Sequence, residues 1–272
     1  MATETFDASV GDRIGDYLIA HRIDEDENSL LFQALHQTLR HPVAVRIPRI
    51  RLLSDRPELP GELLDYARMV APLSHPHLVR LLDYRDTRPA PFFVFEFVRG
   101  LSLRQLIRQS GRLRWDRAIR LLTQMASALA GAWQAGLIHG RLWPGQILVT
   151  PEGSGKLILG IPALRRSLIQ EDSRQAYQAP EQLSPAAPVD HQADIFALGA
   201  IGYEMLLGKR PFSGTDRSDP TPIHELTSEI PLPISQLIHR MIAFHASARI
   251  DSYAELLHEL QSIRLPGWSA QD

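Results

Sequence analysis

Apolar and polar positions alternate with period two over Tyr17–Ile23, Leu30–Leu35 and Val43–Ile47, which predicts three strands. A wholly polar run, Asp24-Glu25-Asp26-Glu27-Asn28-Ser29, makes the turn between the first two. The period changes from Pro60 to Val70, where Leu63, Ala67 and Val70 share one face at helical spacing and Pro72 marks the stop. Leu78–Tyr84 and Phe92–Val98 predict two further strands. The pattern therefore predicts a small sheet with one main helix, and a hinge at Arg99-Gly100.

Beyond that hinge the pattern is mainly helical. Leu101–Gln109 predicts a short helix. Trp115–Gln134 predicts a long one, buried along Ala118, Leu121, Leu122, Met125 and Leu129, with Gly136 where a C-terminal cap belongs. Asp194–Leu207 is apolar on most sides, as a central helix should be. Ile234–Phe244 and Ser252–Gln261 complete the set, with a capping box expected from Ser252 and Glu255. The class is α+β: a small β-rich part, then a larger helical one.

Composition alters this picture in three ways. The chain has no cysteine, which excludes disulfides, thiolate metal sites and thiol nucleophiles. No apolar run reaches the roughly 18 residues of a membrane helix. Glu4, Asp7 and Asp12 give the start no basic signal region, so a cytoplasmic location is expected. The net charge of −2 implies no polyanionic partner, but the charge is uneven. Residues 1–30 hold eight acidic and two basic residues, whereas residues 97–170 hold eleven basic and two acidic. Arg99, Arg104, Arg108, Arg112, Arg114, Arg117 and Arg120 fall together around the first helices of the second part. The plain reading is a solvated face. The sharper one makes Arg104, Arg108, Arg112, Arg114 and Arg117 a dock for an acidic protein segment. Interleaved aromatic residues are too sparse for a nucleic-acid surface.

Several motifs carry a family resemblance. His139-Gly-Arg-Leu-Trp-Pro-Gly-Gln146, followed by Ile147-Leu148-Val149, has the frame of a kinase catalytic loop. Tyr177-Gln-Ala-Pro-Glu181 looks like the Ala-Pro-Glu motif, and Asp194-Ile-Phe-Ala-Leu-Gly199 like the start of the central helix. Arg249 stands where a late arginine pairs with Glu181. Phe92–Val98 looks like the hinge strand, with Phe95 as gatekeeper and Glu96 and Val98 along the hinge. Over about residues 14–262 the chain resembles the bacterial Ser/Thr protein kinases. The resemblance implies a two-lobed fold: a tail at 1–11, an N-lobe at 12–98, a C-lobe at 99–265 and a second tail at 266–272. It makes His139, Glu181, Asp194 and Arg249 structural.

At the chemical positions this chain departs from the family. The resemblance puts the catalytic Asp, Lys and metal-binding Asn at Arg141, Trp143 and Gln146. It puts the metal-binding Asp at Leu159, with Gly160 and Ile161 after it. The three glycines of the phosphate loop become Asp24, Asp26 and Ser29, so that with Glu25 and Glu27 four carboxylates face the phosphate position. Arg46 replaces the strand lysine, and Tyr66 falls at its glutamate partner, leaving an Arg46–Glu62 pair as the expected substitute. Trp143 or Phe95 is expected to fill the gap left at Gly160. Arg174 takes the place of a threonine, Ser167 and Ser173 are loop serines open to phosphorylation, and the Phe212–Ile234 connection is short. These positions lead to the expectation of a pseudokinase: no enzyme, no catalytic or metal residues, no cofactor, and an interaction or allosteric role with an unknown protein partner. Neither ATP, nucleic acid nor a membrane is expected as a partner. The alternatives are an atypical kinase holding ATP through Arg46, and a metal-independent nucleotide sensor.

Overall fold

The computed structural model describes residues 8–26, 28–164, 172–183 and 189–263. Glu27, Ser167 and the tails at 1–7 and 264–272 lie outside the described residues, and the side chain of Ser173 is likewise not described. The described residues form two compact units. One draws on Met1–Ser74, Val79–Val98 and Gly160–Ile169; the other on His75–Leu78, Arg99–Leu159 and Gln170–Asp272.

The first unit is an antiparallel sheet. Its strands are β1 (Arg13–Ile14), β2 (Tyr17–Glu25), β3 (Ser29–His36), β4 (Pro42–Pro48), β5 (Leu81–Arg85) and β6 (Phe92–Glu96), in the order β1-β2-β3-β4-β6-β5. Two helices, α1 (Ile50–Asp55) and α2 (Leu59–Val70), follow β4. Alternation puts Ile19, Phe32, Ala34, Val43, Val45, Phe92 and Val94 into one core. Phe93 and Phe95 point to the opposite side and are buried there too. α2 buries Leu59, Leu63, Tyr66, Ala67 and Val70. Tyr66 belongs to this stripe and meets Phe93 edge-on at 6.0 Å. The run at Leu78–Tyr84 starts pairing with β6 only at Leu81, because Leu78 bridges to Leu157 in the second unit.

The second unit is mainly helical. β7 (Leu101–Ser102), β8 (Ile147–Val149) and β9 (Gly155–Leu157) form a three-stranded sheet. The helices are α3 (Leu103–Ser110), α4 (Trp115–Gln134), α5 (Asp172–Gln175), α6 (His191–Leu207), α7 (Ile223–Leu226), α8 (Leu232–Met241) and α9 (Tyr253–Ser262). α3 starts at a full capping box: Ser102 Oγ accepts from the Gln105 N–H, and Gln105 Oε1 accepts from the Ser102 N–H. The box expected at α9 is half formed. Ser252 Oγ accepts from the Glu255 N–H, but the Glu255 carboxylate takes the Asp251 N–H and an ion pair with Arg240. α6 buries residues on every side, so the unit is built around it. The Phe212–Ile234 connection, expected to be short, carries the one-turn helix α7.

Two histidines show why His75–Leu78 belongs to this helical unit. His75 Nε2 lies 3.1 Å from Ser127 Oγ on α4, and His77 Nδ1 lies 2.9 Å from the Gly155 carbonyl oxygen. Gly100, expected as a hinge, is held by close approach. A Cβ there would lie 2.2 Å from the Val149 carbonyl oxygen, and its φ of +157° is one that L residues rarely adopt.

Candidate functional site

The loop His139–Gln146 is suspended from α6. The buried Asp194 carboxylate accepts the His139 N–H at 2.8 Å and the Gly140 N–H at 2.7 Å. At the loop's far end Ile158 N–H donates to the Gln146 carbonyl at 2.8 Å, and His139 Nε2 lies 3.2 Å from the Ile158 carbonyl. Leu142, Pro144 and Ile147 are buried beneath. Gln182 adds a tie that sequence reading missed: its Nε2 donates to the Gly140 carbonyl while its Oε1 accepts the Ala179 N–H. Glutamine in a loop carries no pattern that would announce this.

Glu181 and Arg249 meet in a two-pronged ion pair at 2.7 and 2.8 Å. The remaining Arg249 donors reach the carbonyls of Gln192, Ala243 and Phe244, and the guanidinium lies 4.9 Å from the Phe196 ring centre. Burial alone would push the Glu181 carboxyl up, but the Arg249 hydrogen bonds and charge hold it below its ordinary value. Arg217 is a half-buried arginine, and no motif marks it. It donates to the carbonyls of Gln175 and Gln178 and stacks at 4.9 Å on Phe212, which is stacked on Phe196. It thereby binds the residues before the Ala-Pro-Glu stretch to the loop after α6. Tyr177 donates to Glu204 of α6 at 2.5 Å. Burial, partly offset by Tyr177, Arg210 and Arg104, raises the Glu204 carboxyl above its ordinary value.

The front of the loop has a different character. Arg141 is exposed, and Leu159 and Ile161 are buried apolar residues. Gln146 Oε1 is buried with no hydrogen-bond partner among the described residues. Magnesium takes hard oxygen ligands, preferably carboxylates. Arg141, Trp143, Gln146 and Leu159 offer one neutral oxygen between them, so these residues do not fit a magnesium ion. Among the described residues no group of three or more His, Asp or Glu is arranged to hold a metal.

The Trp143 ring covers Gly145, where a Cβ would lie 2.2 Å from it, and it is approached by two guanidinium groups. Arg104 of α3 lies 5.3 Å and Arg174 of α5 lies 4.6 Å from the ring centre. Each stacking is worth about 0.5–2 kcal/mol. The two cations are no more than about 10 Å apart by these distances, so they repel by at least roughly 1.7 kcal/mol at an effective dielectric near 20, before solvent screening. Phe95 stacks on Phe93 at 6.0 Å. The arginine face is divided. Arg112 pairs with Glu229, while Arg114 and Arg120 share Asp116. Arg117 and Arg120 line a shallow depression with Gln124 and the turn at 151–154. Arg99 and Arg108 are exposed.

In the first unit the carboxylates of the β2–β3 turn are employed locally. Asp26 Oδ1 accepts the N–H groups of Asn28 and Ser29 and the Ser29 hydroxyl. Glu25 pairs with Arg22 and Arg49, and Asp24 accepts the Glu25 N–H. The expected row of four carboxylates is therefore, in its described members, a self-capped and ion-paired turn. Arg46 is half-buried on β4 opposite Leu31 and Phe93. The expected Arg46–Glu62 pair is replaced: both oxygens of Glu62 accept from Arg56 Nη2, and Arg56 also donates to the Ala163 carbonyl. Asn28 holds the neighbouring Leu164 carbonyl. Glu96 of β6 accepts the Arg80 N–H, and Val98 is half-buried.

A family model described as protein kinase domain matches residues 20–260. The chain is 32% identical over 215 residues to the serine/threonine-protein kinase PknA of Mycobacterium tuberculosis, covering 74% of this chain and 48% of that one. It is 27% identical over 263 residues to a probable serine/threonine-protein kinase of Clostridium acetobutylicum, covering 91% of this chain and 40% of that one. It thus spans about two fifths to one half of the length of these relatives. The PknI kinase domain of M. tuberculosis has a similar fold, with a TM-score of 0.74 over 94% of this chain and 99% of that one, at 19% identity. These findings correct one expectation, that the chain is no enzyme. That expectation rested on a few chemical positions, whereas relatives similar over most of the chain are named as kinases. No helix among the described residues is long and apolar enough to cross a membrane.

Proposed function

Because the chain belongs to the protein kinase domain family, we propose that it serves Ser/Thr-kinase signalling as an interaction or allosteric module whose loop front is organised around arginine and tryptophan instead of magnesium. One observation carries this reading. The Asp194 frame holds the loop in place, while Arg104 and Arg174 close on Trp143 beside it. A rigid frame with a charged aromatic front suits a binding surface, since anchors of this kind are enriched where proteins meet.

A second reading, an atypical Ser/Thr kinase with ATP held through Arg46, is favoured by the names of the relatives. The two part on one experiment. Transfer of a labelled γ-phosphate to protein acceptors is followed for the intact chain and for Arg46→Ala. Magnesium-stimulated transfer that Arg46→Ala abolishes overturns the module reading and establishes the second. Rates that neither magnesium nor Arg46 alters support the first. A metal-independent nucleotide sensor would show ATP binding that is lost in Arg46→Ala, without transfer.

A further inference from the structure

The segment His75–Leu78 meets α4 and β9 through two half-buried imidazole rings whose protonation states follow from their partners. The His77 backbone N–H donates to His75 Nδ1 at 3.1 Å. That nitrogen therefore carries a lone pair, and the one proton of His75 sits on Nε2, facing Ser127 Oγ at 3.1 Å. His77 is the opposite tautomer. Its Nδ1 lies 2.9 Å from the Gly155 carbonyl, which can only accept, so Nδ1 holds the proton. Around these rings, Leu157 N–H donates to the His77 carbonyl at 2.8 Å, and Leu78 bridges to Leu157. The next residue, Ile158, holds both ends of the loop His139–Gln146.

A second proton has different consequences on the two rings. On His77 it goes to Nε2 and leaves the bond to Gly155 intact. On His75 it goes to Nδ1 and sets two donors face to face across the 3.1 Å contact. Among the described residues no carboxylate acts on either ring. His77 acts on His75, Lys156 of β9 acts on His77, and α4 meets His75 with the Ser127 hydroxyl and Gly131. Burial, and after it His77, holds the His75 ring below its ordinary value. Burial and Lys156 also lower His77, against the Gly155 bond, which raises it.

We infer that His75–Leu78 is an acid-sensitive anchor: protonation of His75 at Nδ1 opens the turn and loosens β9 where it leads into the residue that holds the loop His139–Gln146. This rests on the loop frame and on neither functional reading. The sign follows from linkage. A histidine held below its ordinary value stabilises the closed turn fully above its open-state value, and that contribution is lost as pH falls through it. With His75 near 6.5 when open and neutral when closed, the open population grows about tenfold from about pH 7.5 to about pH 5.5.

Amide hydrogen exchange of the intact chain, read by NMR and corrected for its intrinsic pH dependence, tests this. Protection of the His77 and Leu157 amides should fall about tenfold over that range, and Ile158 should follow in the same direction. Ile201, in the buried centre of α6, should keep its protection and thereby report that the opening is local. His75→Asn sets a carbonyl oxygen that does not titrate two residues before the same N–H, and should hold the change under about twofold. Nitrogen shifts of the His75 ring near neutral pH should show the proton on Nε2, a measurement that needs no variant. A proton on Nδ1 there, an equal fall at Ile201, or a tenfold fall that persists in His75→Asn would overturn the inference. Since the readout involves neither nucleotide nor partner, loss of the module reading leaves the anchor standing, and loss of the anchor leaves that reading untouched.

Discussion

Arg249 lies 4.9 Å from the Phe196 ring and Arg174 lies 4.6 Å from the Trp143 ring, yet the two arginines have opposite surroundings. Arg249 is buried, and its donors are spent on Glu181 and three carbonyls. Arg174 is exposed, and the second group on its ring is another cation, Arg104. The same contact is a closed structural joint in one place and lies at the solvent-exposed surface in the other. Glu181 completes the first, and Glu204, near the second, accepts the Tyr177 hydroxyl.

The comparison breaks most visibly at the closed joint. Arg249→Ala removes the buried member of the pair and leaves the half-buried Glu181 unpaired, and should cost about 3–5 kcal/mol in chemical denaturation. Arg249→Lys should recover only a part, because lysine cannot reproduce the two-pronged geometry. A loss under about 1 kcal/mol would mean that the pair is not a joint at all.

The open front should respond less. Gly145→Ala puts a Cβ into the Trp143 ring, and overpacking of this kind costs about 1–3 kcal/mol. Removing the ring as well, in Gly145→Ala/Trp143→Leu, should recover part of that cost, with a coupling of about 0.5–3 kcal/mol. Additive effects would show that the ring does not rest on Gly145.

Acidity distinguishes the two carboxylates by sign. Glu181 is held below its ordinary value, so its contribution is complete above the unfolded-state pKa and is lost as pH falls through the folded one. Glu204 is raised, so its contribution is present below the unfolded-state pKa and is lost as pH rises through the folded one. Glu204→Gln should therefore flatten the decline of stability on the rising side, and leave the acid side unchanged. Unfolding midpoints across pH read both effects. The smallest change belongs to Arg112→Ala. Its partner Glu229 is exposed, so the pair is worth under about 1 kcal/mol.

Much of the frame was legible because it rests on periodicity and on local motifs. The long helix Trp115–Gln134 has the bounds that its apolar stripe predicts, since the stripe and Gly136 mark both its face and its end. The strand at Ser29–His36 extends its predicted core by a residue at each end, because alternation says little about where pairing stops. The roles of Arg217, Gln182 and Arg56 were not legible. Each acts through backbone carbonyls or carboxylates that the fold alone brings near, up to 107 residues away for Arg56. The Arg46–Glu62 pair failed for the same reason: a nearer arginine in space, Arg56, is not marked as nearer by the motif. Trp143 was noticed for what it replaces, but its two arginine neighbours come from separate helices that no spacing rule connects.

The central claim is that this front is not organised around magnesium. Calorimetric titration of the purified chain with ATP, with and without magnesium, tests it most directly. The heats should be the same in both, because among Arg141, Trp143, Gln146 and Leu159 only Gln146 has a side-chain oxygen. Saturable ATP binding that appears only with magnesium would contradict it.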